Sequence, residues 1–192
     1  QHNCGVESLR AAAYALDEHV RLLGVDCEMV QTSQGLELAR LTVVQVGLAS
    51  MSSYSQKLLQ SWPCGIEPWR DYDDYDDYGG SSDEDGPDPI GCQPLVDCLV
   101  LPEHPVQDYV TRFSGITPGM LTPEGAKQAG FPLVSLAEAR ATLLEVIAGD
   151  KDESRPAVLV GHGLENDLAA IGCMVPFALD TSLLFPHRHG RP

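Results

Sequence analysis

The sequence predicts an α/β protein, a mixed β-sheet with helices packed on its faces. Apolar, β-rich segments crowd the first part of the chain, at 22–30, 38–46 and 95–101. The second part alternates helical with strand spacing, and strands followed by such alternation build a mixed sheet with helical layers. The 192 residues, 43% of them hydrophobic, suit one domain with a sizeable core.

Val6, Leu9, Ala13, Leu16 and Val20 lie near helical spacing, so residues 1–20 read as an amphipathic N-terminal helix or extension, ahead of a domain spanning 21–192. Residues 22–30, 38–46 and 95–101 follow as three strands. Between the second and third lies an insertion at about 49–93, whose acidic Asp/Tyr and Gly/Ser/Pro composition predicts disorder over 61–93. It is a solvated loop or a recruiter of a basic partner. Residues 118–131 read as loop with a turn or two of helix, and 133–148 as an amphipathic helix presenting Leu136, Leu143, Leu144 and Ile147. A strand at 157–161, a helix at 164–171 and a short strand at 177–179 complete the pattern.

The net charge is −16, which opposes broad binding of phosphate backbones. Nine of the acids fall within 71–88, where no base occurs, leaving −7 elsewhere. That balance favours the grip of a short single-stranded end over extended duplex binding. Six cysteines show no Cys-x-x-Cys pair, so neither disulfides nor a paired-cysteine zinc site is expected, and a reducing compartment fits. Apolar runs are broken well before 18 residues, so no membrane span is expected.

Chemistry concentrates where the first strand ends. Asp26 and Glu28 stand two positions apart and share a face in a strand, while Cys27 points the other way as a small core residue. Two acids ending an apolar run must be solvated, paired or bound to a cation. Asp167 opens the helix that follows the 157–161 strand, and it converges on the pair if the two strands are neighbours.

The ordered motifs Asp-Cys-Glu-Met at 26–29, Glu-Leu-Ala-Arg-Leu-Thr-Val-Val at 37–44, Thr-Arg-Phe-Ser-Gly-Ile-Thr at 111–117, Gly-His-Gly-Leu-Glu-Asn-Asp-Leu at 161–168 and Asp-Thr-Ser-Leu-Leu-Phe-Pro-His-Arg at 180–188 resemble the DEDDh-superfamily RNA exonucleases, closest to the RNA exonuclease 1 branch. The resemblance covers most of 20–192 apart from the insertion. It implies an RNase H-like fold, 3′→5′ hydrolysis of single-stranded RNA 3′ ends, and two Mg²⁺ or Mn²⁺ ions on Asp26, Glu28 and Asp167. It further implies that Met29 packs near the terminal nucleotide, although a buried Met fits the position equally, and it suggests nuclear residence. Arg112 and Phe113 offer a phosphate partner and a ring for base stacking, although Phe113 also fits a core position. His162 fills a family motif slot, either fixing its loop or touching substrate. Asp180 either caps and fixes Thr181 and Ser182 or binds metal, and His187 and Arg188 are candidate phosphate contacts.

The family pattern also includes a His followed five positions later by an Asp on a helix beyond the Asp-Thr-Ser segment. The sequence ends at Pro192 without them. The expectation is therefore a fragment or a degenerate copy with little activity as it stands, since loss of a general base typically costs on the order of 10²–10⁴ in rate. A DNA exonuclease and a non-catalytic RNA- or protein-binding scaffold of the same fold are the alternatives.

Overall fold

The computed structural model describes residues 19–46 and 92–184. The expected N-terminal helix, apart from its last residues, and nearly all of the acidic insertion lie outside them, as do His187 and Arg188. Strand β1 (Arg21–Thr32) pairs antiparallel with β2 (Gly35–Val46), which pairs antiparallel with β3 (Cys92–Leu101). The insertion therefore ends two residues earlier than expected, because Cys92 and Gln93 pair with Val46 and Gln45. Strand β4 (Val106–Asp108) pairs with the far end of β1, and β5 (Leu133–Ser135) runs parallel to β3. Strand β6 (Ala157–Gly161) runs parallel to β1, with β7 (Ala178–Asp180) beyond it. The main sheet order is β5-β3-β2-β1-β6-β7.

Among the described residues these strands are accompanied by the helices α1 (Thr111–Ser114), α2 (Pro123–Ala129), α3 (Leu136–Ala148), α4 (Leu164–Ile171) and α5 (Thr181–Leu184). The sheet buries both faces. One holds Leu23, Val25, Cys27, Leu41 and Leu159 against Leu143 of α3 and Leu164 and Ile171 of α4. The other holds Val30, Ala39 and Leu99 against Ile116, Leu121 and Ala126 of α2. A β-bulge separates the two patterns: Glu28 faces Arg40 and Met29 faces Leu38, so Ala39 is the extra residue on β2.

Two expectations for 133–148 change. Leu133–Ser135 form a strand, because Ser135 is the N-cap of α3 in a capping box with Glu138, and a cap residue stands outside the helix it starts. Leu144 is 45% exposed, since the buried stripe runs through Ala139 and Leu143 instead.

Arg21, 6% exposed, holds the end of α3 to the start of β1. Its Nη1 donates to the Val146 carbonyl at 2.9 Å and its Nη2 to that of Ile147 at 2.6 Å, with Glu153 at 3.6 Å as counter-charge. Arg21→Ala strands these helix-end carbonyls and empties a buried volume. Chemical denaturation is expected to show a loss of about 2–4 kcal/mol.

Candidate active site

Asp26 and Glu28 stand on the same face of β1, across the ladder from Thr42 and Arg40. Asp26 is exposed and Glu28 half-buried, while Cys27 between them is buried in the core. Alternation along the strand therefore separates the acids from the thiol, as the sequence predicts.

The parallel pairing of β1 with β6 ends at Gly24 and Val160, just before Asp26. Gly161 makes the close approach there possible, because a Cβ on it would lie 3.1 Å from the Val25 carbonyl oxygen and 2.8 Å from Leu164 Cδ1. The chain then turns through Gly163, in the left-handed region at φ 69°, into α4. Asp180, at the end of β7, caps this start from a distance in sequence: its carboxylate accepts from the Gly163 and Leu164 amides, each at 2.9 Å. It also accepts from the Ser182 amide at 2.9 Å and the Ser182 hydroxyl at 2.7 Å. The Ser182 hydroxyl bond first, then the amides, hold Asp180 below the usual carboxylate range. Of the two roles open to Asp180, the structure shows capping. His162 is exposed, its Nδ1 lying 3.1 Å from Thr181 Oγ1, and Thr181 donates to the Gly161 carbonyl at 2.9 Å. This ties the loop between β6 and α4 to α5.

Asp167, in the first turn of α4, is only 5% exposed. Burial pushes its pKa up to about 6, with further upward pressure from Asp26, Asp180 and Glu28, against a hydrogen bond from Cys27. Glu28 is also raised, first by burial and then by Asp26, with Arg40 opposing. Burial, then Asp167, pushes the Cys27 thiol up, so it stays a neutral donor. The three acids thus share one electrostatic neighbourhood, with Asp167 on the side of Cys27 and the pair on the open face. Among the described residues, no three His, Cys, Asp or Glu side chains form a ready-made metal-binding group. The donor chemistry nonetheless suits a hard divalent ion: carboxylate oxygens only, two of them carrying charge that their surroundings disfavour.

The remaining residues singled out in the sequence lie around the far end of β1. Met29 is half-buried opposite Leu38. Strand β4 pairs with Gln31 and Thr32 and leads into α1, a single helical turn. Val110 starts that turn at φ 50°, with its amide donating to Asp108 Oδ1 at 2.8 Å, and Ser114 Oγ donates to the Tyr109 carbonyl at 2.8 Å. The turn displays Phe113, 79% exposed, with the Arg112 guanidinium 5.7 Å from its ring centre. Phe113 is thus a surface residue.

The sequence reading missed an ion pair on the Asp26–Glu28 face. Arg40 makes a two-pronged bond to Asp97, Nε to Oδ1 at 2.8 Å and Nη2 to Oδ2 at 2.9 Å, and stacks over Phe131 at 4.4 Å. Its signal was an acid alone in the apolar run 95–101, which stands opposite Thr42 and diagonal to Arg40 once the strands are paired.

A sheet of this order, with acids midway along its central strand and helices on both faces, is an RNase H-like exonuclease fold. The catalytic unit of Neurospora crassa Pan2, with its protease and nuclease domain, aligns over 90% of this chain and 21% of its own, with TM-score 0.54 and 21% identity. The corresponding module of Saccharomyces cerevisiae Pan2, in complex with AAGGA RNA, aligns over 88% and 22%, with TM-score 0.54 and 23% identity. No family model matches the chain. By sequence, human RNA exonuclease 1 homolog is 31% identical over 176 residues, 92% of this chain, and human RNA exonuclease 5 is 31% identical over 170 residues, 88% of it. The chain is a homologue of these RNA exonucleases, spanning 10% and 14% of their respective lengths.

Proposed function

We propose that this protein is a 3′→5′ exoribonuclease in which Asp26, Glu28 and Asp167 hold two divalent ions, Mg²⁺ or Mn²⁺. One observation carries the reading. Two carboxylates on an open strand face are coupled to a buried third in a homologue of RNA exonucleases. Ions bound there would acidify the attacking water and offset charge on the attacking and leaving oxygens.

The protein's own groups do the rest. Asp180 fixes the start of α4 and with it the approach of Asp167 to β1. Phe113 offers an unpaired base a stacking surface, Arg112 offers its phosphate a guanidinium, and Met29 supplies apolar contact for the terminal nucleotide. His162 is assigned to the substrate side of its loop, with Thr181 holding its ring. Nuclear residence belongs to the same reading and rests on the family resemblance. The DNA alternative is distinguished by the terminal 2′-hydroxyl, the group that separates RNA from DNA.

Single-stranded RNA labelled at either end tests this. With Mg²⁺ or Mn²⁺, the 5′-labelled strand is expected to shorten stepwise and the 3′ label to leave first, with EDTA stopping both. A terminal 2′-deoxynucleotide is expected to slow the first step. Release of the 5′ label first, or shortening that EDTA leaves unchanged, overturns the reading.

A further inference from the structure

We propose that Arg40 is a substrate-phosphate contact of this site, its guanidinium aimed and held by Asp97 and Phe131. The inference rests on the RNA reading above and adds a residue to it.

Four observations converge. Arg40 stands directly across the β1–β2 ladder from Glu28, and directly opposed residues project from the same face. The bulge at Ala39 sets this register, and without it the residues beyond Glu28 would pair one position out of step. Phe131, under the guanidinium, packs with Val30, Ala39 and Leu99, the sheet face that Asp26 and Glu28 share. Finally, the Arg40 side chain remains 30% exposed although both Nε and Nη2 are bound to Asp97.

Arginine carries five N–H donors, and the fork to Asp97 uses one on each of two nitrogens. Held by the carboxylate on one edge and the ring on its face, the group loses little freedom on binding a phosphate oxygen. Two other described arginines are committed elsewhere: Arg21 binds the end of α3, and Arg140 Nε donates to the Ile171 carbonyl at 2.7 Å. In a chain of net charge −16, a cation beside the acids relieves the repulsion that an incoming phosphate meets.

The test is fluorescence anisotropy of a 5′-labelled single-stranded octaribonucleotide in Ca²⁺, at several salt concentrations. Arg40→Gln is expected to weaken binding about tenfold and to reduce the salt slope by about 0.7, the loss of one single-strand phosphate contact. Asp97→Asn keeps the cation while removing its partner charge, so it is expected to bind as tightly as wild type or more tightly, with the slope unchanged. A purely structural role for the ion pair predicts that both variants lose affinity together, and that result overturns the inference. Unaltered affinity in folded Arg40→Gln also overturns it. Failure of the wild type to bind this RNA at all defeats the exoribonuclease reading itself, which separates the two.

Discussion

Asp167→Asn is expected to remove a decline in stability that the wild-type protein shows as pH rises from about 4 to about 6. The carboxyl ordinarily titrates near 3.8 and in the fold at about 6, so the native state binds the proton more tightly than the unfolded chain. Below 3.8 both states are protonated and the group contributes nothing. Through the window the unfolded chain ionises first, and above 6 the penalty is fully present. Such a shift is worth about 2 kcal/mol at neutral pH once screening near exposed Asp26 is allowed for. Urea denaturation of both proteins at pH 4 and pH 7.5 measures it: the difference between them is expected to grow with pH in favour of the variant. A difference independent of pH would show that the carboxyl ionises freely in the fold. Glu28, raised by burial and by Asp26, acts in the same direction. Asp180 and Glu37, both held low, act oppositely and cancel in the comparison.

Asp26→Asn is expected to remove metal-dependent RNA hydrolysis, with a fall on the order of 10³ or more in rate under saturating Mg²⁺. Asp26 is exposed, so the substitution leaves the core packing of Val25 and Cys27 in place and the far-ultraviolet circular dichroism unchanged. Single-turnover cleavage of end-labelled RNA reads the effect. A variant retaining more than a tenth of the wild-type rate would remove Asp26 from the chemistry.

The parts of the fold legible in the sequence were those with enough residues to show a period. β1, β2 and β6 each carry an apolar or β-rich run of five or more residues, and α4 shows its period in Leu164, Leu168 and Ile171, ending in the structure at Gly172. The three-residue strands β4 and β5 show no period at all. They exist because β1 and β3 offer them edges to pair with, a property of the assembled sheet. The capping box at Ser135 and Glu138 was visible but was absorbed into a longer apolar stripe.

The site divides in the same way. The acids of β1 and α4 stand in compact motifs, whereas Arg40 and Asp97 meet across 57 positions in the β2–β3 register, which itself shifts between Val43 and Val44. The Cys27–Asp167 hydrogen bond was hidden for another reason: alternation correctly sent Cys27 to the core, yet the acid of α4 reaches that side of the strand.

Calorimetric titration of Mn²⁺ into the wild-type protein and the Asp26→Asn/Asp167→Asn variant at pH 7.5 tests the central claim most directly. The account predicts saturable binding to the wild type that weakens as pH falls towards 5, where Asp167 takes up its proton, and no saturable binding to the variant. Equal binding by the two proteins, or none by either, would contradict a divalent-ion site built on these carboxylates.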